Sequence, residues 1–493
     1  MMAHLPVLQV IVPLLAAPLC ALVRHGRIAW AIAVASSWAS LWMAWEIFQL
    51  VQAGGAISYS LGGWAAPIGI EYKIDTLSAF VLIIVTLIGA VVTPYALKSV
   101  EKEIGGSRES LFYAAFLLCL SGLLGIVVTG DMFNVFVFLE ISSLSAYALI
   151  ALGRDRRALT ASYQYLIMGS VGATFIVIGI GMLYAMTGSL NMADLAVLLP
   201  ELPPNRTIPV AFAFLSIGVC LKLALFPLHI WLPNAYAYAP SVVTAFIAST
   251  ATKVAIYMLL RFFFTVFGAE FSFLEMQLGA ILLPLSLIAI FSMSLVAIFQ
   301  TNVKRMLAYS SLAQIGYIIL GISFFSDTGL IAGILHLFNH AVIKGSLFMA
   351  LGCVMYRVNS VELEDMRGLG KKMPITMAAF LVGGFSLIGV PLTVGFVSKW
   401  YLIQGAIEKG LWPVALLVLM TSLMAVVYIW RVVESVYFSE SYESQNDDVA
   451  EAPLGLLIPT WALTLLCLYF GIDATLTTSG ASMAVANLLG ISP

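Results

Sequence analysis

Four lysines and a glutamate occupy places where a charge is costly. Lys222, Lys253, Lys344 and Lys399 each lie in a long apolar run, and Glu140 stands at the middle of NVFVFLEISSLSAYALIAL. A lysine or acid at the centre of a membrane span costs about 2.5–3.5 kcal/mol on insertion scales, so such residues are rare and generally line a polar path. Residue type alone also allows interhelical salt bridges, or lysines that snorkel to the headgroups. Lys253 is the poorest candidate for snorkelling, because SVVTAFIASTAT precedes it and VAIYMLLRFFF follows. An ammonium there must be paired, hydrated or deprotonated. Desolvation brings lysines and carboxylates toward the range in which protons exchange, which is the chemistry of a proton relay.

His336, His340 and Lys344 recur every fourth residue in HLFNHAVIKGS. Four residues advance a helix by about 400°, so the three form one stripe. A metal reading of the two histidines lacks a third ligand and the Glu of H-E-x-x-H. Polar helix contacts and a relay stripe both remain. His229 follows Lys222 by seven residues, but Pro227 intervenes and leaves their relative facing open.

The elements that must hold these groups are membrane helices. Of 493 residues 61% are hydrophobic and 10% charged, with mean hydropathy +1.03, against about 45–50% and 25% in soluble domains. A span needs about 20 mostly apolar residues. Fourteen segments qualify: 5–22, 29–51, 76–97, 111–128, 132–151, 161–186, 208–226, 242–266, 277–299, 306–323, 328–354, 375–404, 412–433 and 456–475. The connections are short, and no stretch is long enough for a separate soluble domain. The N-terminal apolar run has no Lys or Arg before it, so it reads as a retained span and not a cleaved signal.

Of the 23 Lys and Arg residues, 15 fall in the odd-numbered connections, Lys304 among them. Four fall in the even ones: Lys73, Arg206, Arg261 and Lys409. The positive-inside rule then places the odd connections in the cytoplasm and both termini outside the cytoplasm, for a multi-pass protein of the cell (inner) membrane. The basic residues form no stripe that could follow a phosphate backbone, which excludes nucleic acid as a partner. The five cysteines sit in apolar runs without a C-x-x-C pair and read as packing residues. No haem, flavin or iron–sulfur ligand set is visible, so no cofactor is expected.

Two segments are interrupted. The seventh, CLKLALFPLHIWLPNAY, contains Pro227 and Pro233; the twelfth contains Gly389, Pro391 and Gly395 before Lys399. Broken membrane helices are tolerated where freed backbone groups meet protein or a water-filled cavity, and in transporters they mark the transport site. YQYLIMGSVGATFIVIGIGMLY also resembles HAVIKGSLFMALGCVMY at an offset of 176, and Lys222 meets Lys399 at nearly the same offset. Five spans separate the matched helices, an odd number, which predicts two inverted five-helix repeats. The expected organisation is helices 1–3 in 1–110, a first repeat in 111–266, a second in 277–435, and helix 14 in 456–493. The fold class expected is an all-α polytopic membrane protein of about 14 spans, broken at helices 7 and 12.

TGDMFNVFVFLEISSLSAYALIA, LKLALFPLHIWLPNAYAYAPSVVTAFIASTATKVAIYMLLR, NVKRMLAYSSLAQIGYI and HLFNHAVIKGSLFM together resemble a known family. It is the proton-conducting family shared by Mrp-type multisubunit Na⁺/H⁺ antiporters, the pumping subunits of respiratory complex I and membrane-bound hydrogenases. The likeness covers nearly the whole chain and is nearest to the D-type antiporter subunits. Asn234 stands where that family more often has an acid. The resemblance implies a proton-translocating subunit that works with other membrane subunits on H⁺ and Na⁺. It implies Glu140 and Lys222 as a charge pair, Lys253 as the next relay, His336, His340 and Lys344 as the central connection, and Lys399 as the exit. The alternative it leaves is a pumping subunit of a redox-driven complex, and a scaffold with merely paired charges is the third class.

Overall fold

The computed structural model describes residues 2–439 and 449–490. The chain opens with α1 (Leu5–Val23) and α2 (Gly26–Gly54), then a hairpin of β1 (Ile57–Ser60) and β2 (Glu71–Ile74). There follow α3 (Thr76–Glu103), α4 (Glu109–Val128), α5 (Met132–Ala151), α6 (Arg157–Thr187), the short α7 (Met192–Glu201), α8 (Thr207–Leu223) and α9 (Trp231–Tyr238). α10 (Ser241–Leu260) continues as a π-helical turn over Arg261–Val266. Then come α11 (Leu278–Ile298), α12 (Val303–Ser323), α13 (Asp327–Val358), the single turn α14 (Leu369–Lys372), α15 (Pro374–Ile388) and α16 (Val394–Glu408). α17 (Trp412–Val433), α18 (Leu454–Ile472) and α19 (Thr475–Leu489) complete the order.

Among the described residues, twelve helices are long and apolar enough to cross a membrane. The two remaining expected segments are the interrupted ones: α8 and α9 around residues 224–230, and α15 and α16 around 389–393. The protein is therefore a multi-pass all-α membrane protein. Ala224, Gly389 and Leu392 take left-handed backbone at these breaks, and Pro227 and Pro391 within them have no amide to donate to a helix. Lys222 closes α8 before its break, whereas Lys399 follows the other break inside α16. The two lysines matched by sequence offset thus stand at different points of the two interrupted segments.

Helix starts follow local chemistry. Asp75, Asp131, Asn191, Asn302 and Ser326 each accept a backbone N–H from the first turn of α3, α5, α7, α12 and α13. Close approach uses small residues: a Cβ at Gly218 of α8 would lie 2.7 Å from the Gly172 carbonyl of α6. Burial sorts the helices by place. The apolar windows of α10 and α12 are 94% buried, against 39% for α6, α11 and α17. α10 and α12 are central, so a lysine on either has no route along lipid to the headgroups.

The β1–β2 hairpin and α19 are among the elements that lay outside the sequence expectation. The β1–β2 hairpin pairs Ile57 with Ile74 and extends by a bridge from Tyr72 to Thr129. α19 packs against α3 and α13, where Thr76 Oγ1 donates to the Met483 carbonyl. Even-numbered connections meet around a cavity of about 640 Å³ that includes Lys73, Asp75, Gly130, Arg261, Glu270 and Asn487. Odd-numbered connections meet around cavities of about 610 and 340 Å³. This segregation follows the alternating threading expected of the chain.

Candidate functional site

Lys222, in the last turn of α8, donates from Nζ to Ser143 Oγ at 3.0 Å and lies 3.9 Å from Glu140 Oε1. The side chain of Lys222 is 3% exposed and that of Glu140 30%, so the pair runs from the interior to the perimeter of the bundle. Glu140 Oε1 is buried without a hydrogen-bond partner among the described residues. Beside Lys222 a cavity of about 30 Å³ reaches α10 at Ala251, Val254 and Ala255, room for a water or two.

Lys253 is wholly buried on α10. Its Nζ donates to the Ala248 carbonyl and reaches Thr252 Oγ1 at 3.5 Å. Among the described residues it forms no ion pair within 4 Å. Lys344, on α13, donates to the Leu307 carbonyl at 2.9 Å and to Ser310 Oγ. Lys253, Lys344 and His340 lie within electrostatic reach of one another. Among the described residues, neither ring nitrogen of His340 meets a hydrogen-bond partner. A buried imidazole of this kind is a natural place for a bridging water.

The expected stripe on α13 is present. The His336 and His340 rings lie 6.0 Å apart and nearly parallel, at 6°. His336 Nε2 bonds Gln314 Oε1 at 2.9 Å and Nδ1 bonds Ser398 Oγ at 2.7 Å. With the Gln314 oxygen as acceptor, the proton sits on Nε2 and Nδ1 accepts from Ser398. Ser398 precedes Lys399, whose Nζ donates to the Leu387 and Ile388 carbonyls at 3.1 and 2.8 Å and to Ser422 Oγ at 3.1 Å. Those carbonyls belong to the last turn of α15, the negative end of its dipole. Tyr317 presents its ring face 5.0 Å from the same ammonium.

α12 supplies the facing partners, which sequence reasoning missed. Ser310, Gln314 and Tyr317 contact Lys344, His336 and Lys399 in turn. Their spacing of four and three in NVKRMLAYSSLAQIGYI was the available signal, a polar stripe in an apolar span. His229 lies in the first break, stacked on Phe226 at 5.4 Å, and does not join this band. Asn234 is on α9, where its Nδ2 donates to Gln164 Oε1.

Two basic residues assigned to connections belong inside. Arg261 forms a buried ion pair with Asp75 and donates to Ser78 Oγ at 2.8 Å and to Tyr257 Oη at 2.9 Å. Tyr257 passes a bond on to the Val127 carbonyl at 2.8 Å. Burial pushes the Asp75 carboxyl up, but the Arg261 charge and the bonds from Arg261 and Ser78 outweigh it and hold the group below its ordinary value. Lys304, 1% exposed, donates to the Ala239 carbonyl at 2.8 Å. Both residues lie at helix ends, where a charge looks like part of a loop, and neighbouring elements close over them.

Residues 129–425 match the family model described as NADH:quinone oxidoreductase/Mrp antiporter, TM. The chain belongs to this family, and it is an antiporter-like membrane subunit. It is 43% identical over 447 residues to NADH-quinone oxidoreductase subunit N of Desulforudis audaxviator (strain MP104C), covering 89% of this chain and 87% of that protein. It is 30% identical over 493 residues to the D-type subunit of the Na(+)/H(+) antiporter of Bacillus subtilis (strain 168), covering 99% and 98%. Among solved structures, a chain of the Mrp complex from Dietzia sp. DQ12-45-1b superposes with a TM-score of 0.90 at 25% identity, covering 99% of this chain and 97% of that one.

Proposed function

We propose that the protein is the proton-moving membrane subunit of a multisubunit monovalent cation (Na⁺)/H⁺ antiporter. The observation that carries this reading is the band of buried basic groups from Lys222 through Lys253, Lys344, His340 and His336 to Lys399. Each is held by carbonyls, hydroxyls or an amide, or left to water, and among the described residues only Lys222 has a carboxylate within 4 Å. A structural ion-pair lattice would give each lysine its own acid. Here the groups form a row of sites between which protons hop through bridging waters.

Glu140 sets the switch. While it is close, its charge favours protonated Lys222; when the pair separates, desolvation prevails and the proton moves on toward Lys253. The odd-numbered connections face the cytoplasm of a cell with this protein in its inner membrane. The two interrupted segments support organisation as two inverted units, 111–266 and 277–435. The perimeter position of Glu140 suits coupling to a neighbouring membrane subunit.

The test is cation-driven proton movement in inverted vesicles that hold the assembled complex. Glu140→Gln and Lys222→Ala are each expected to reduce exchange by at least about 100-fold, the scale of a lost proton-transfer group. Full exchange in both variants contradicts the reading. The 43% identity to a quinone oxidoreductase subunit N favours a second reading, a proton pump driven by electron transfer in neighbouring subunits. Purification of the native complex separates the two: small antiporter subunits support the first, quinone-site and iron–sulfur subunits the second.

A further inference from the structure

The cavity of about 340 Å³ among the odd-numbered connections has Lys304 and Glu103 in its wall, with Lys102, Arg154, Tyr238 and Glu362 around them. Lys304 is 1% exposed, and its bond to the Ala239 carbonyl uses one of the three donors of an ammonium. Its position does not serve α12 itself. It is the second residue of that helix, where a cation meets the positive end of the dipole. Glu103 is fixed in the same wall by bonds from Ser99 Oγ (2.7 Å), Ser241 N (2.9 Å) and Ser241 Oγ (3.1 Å).

α12 leads from this cavity to the buried band. Leu307 is one turn beyond Lys304, about 5 Å along the axis, and its carbonyl accepts from Lys344 at 2.9 Å. Ser310, on the next turn, is the other partner of Lys344. One helix thus carries a lysine at a water-accessible cavity and, a turn or two further, both contacts of a midplane lysine.

We propose that Lys304 is a proton-loading residue that connects this cavity to Lys344, giving the band a second access point at its centre besides Lys222. This rests on the proton-relay reading of the band. A hydronium ion in the cavity gives its proton to the neutral Lys304 amine. The resulting ammonium then releases one proton to water on the Lys344 side, so one proton moves and nothing else is consumed. The competing role for Lys304 is to cap the carbonyl end of α9 at Ala239, and the substitutions must tell the two apart.

Arginine also donates to a carbonyl but does not release its proton. In the assembled complex, Lys304→Arg is therefore expected to keep the thermal stability of the parent and to reduce proton movement by at least about tenfold. Full proton movement in Lys304→Arg overturns the proposal. Chemical rescue supplies the second arm. Lys304→Cys treated with 2-aminoethyl methanethiosulfonate regains a titratable amine, whereas the trimethylammonium reagent adds a fixed charge. Recovery with the amine alone supports the relay; equal recovery with both, at labelling verified by mass, overturns it. Glu140→Gln and Lys222→Ala are measured in parallel. If those two lose exchange while Lys304→Arg keeps it, the band stands and only the loading role falls; if they keep it, the relay reading falls and the loading role with it.

Discussion

At Asp75 the gain from pairing with Arg261 outweighs the cost of burial, and the balance has a measurable sign. Removing one partner of a buried pair leaves the other uncompensated, at a cost of about 3–5 kcal/mol. Asp75→Asn is expected to lower the unfolding temperature of the purified protein in detergent. Because the folded-state value lies below the ordinary 3.8, the contribution of this carboxylate is complete above about pH 4 and is lost as pH falls through the folded value. The parent should therefore show an acid-labile increment in thermal unfolding curves that the Asn variant lacks. At this scale the sequence was legible wherever a charge interrupted an apolar run, as at Glu140, Lys253 and Lys399. At Ser310 and Gln314 it offered only a polar spacing on an apolar span, and at Ser398 nothing, since serine and glutamine are unremarkable in a span until their partners are known. Arg261 and Lys304 were misplaced because burial at a helix end depends on what folds over it. For Arg261 that is the start of α3, and for Lys304 it is the end of α9.

The interrupted helices set the geometry of their lysines. α15 ends so that its last carbonyls point at Lys399, and α16 returns close enough that Gly395 admits no side chain: a Cβ there would collide with the Ser386 carbonyl. Gly395→Ala is expected to destabilise the protein by about 1–3 kcal/mol through overpacking and to impair exchange by displacing Lys399. Gly181→Ala, on a face of α6 where an added Cβ meets nothing within 4 Å, should leave both unchanged; thermal unfolding and vesicle exchange of the two variants check this. Pro227, Gly389 and Pro391 made the breaks readable. Where each lysine stands relative to its break was not readable, because it depends on the left-handed turns at Ala224, Gly389 and Leu392. The α19 segment, TLTTSGASMAVANLL, was passed over because its threonines, serines and glycine dilute the apolar signal. α3, α13 and the π-helical turn that continues α10 give it a surface to cover.

For the whole molecule, the threading was legible because composition and span length leave few alternatives, and the basic residues marked one face. Interior arrangement was less so, since it needs to be known which helices are central. α10, α12 and α13 carry Lys253, the facing polar stripe, and the His336–His340–Lys344 stripe through the most enclosed part of the bundle. That is where a charge is dearest, and no surface role accounts for one there. The central claim, that protons pass along this row, is tested most directly at Lys253, which no described carboxylate neutralises. Lys253→Met keeps the volume of the side chain and removes the titratable group. The measurement is proton movement by the assembled complex in inverted vesicles, with the composition of the complex verified on the same preparation. The account predicts an intact complex whose proton movement falls by at least about 100-fold; an intact complex that moves protons at the parent rate would contradict it.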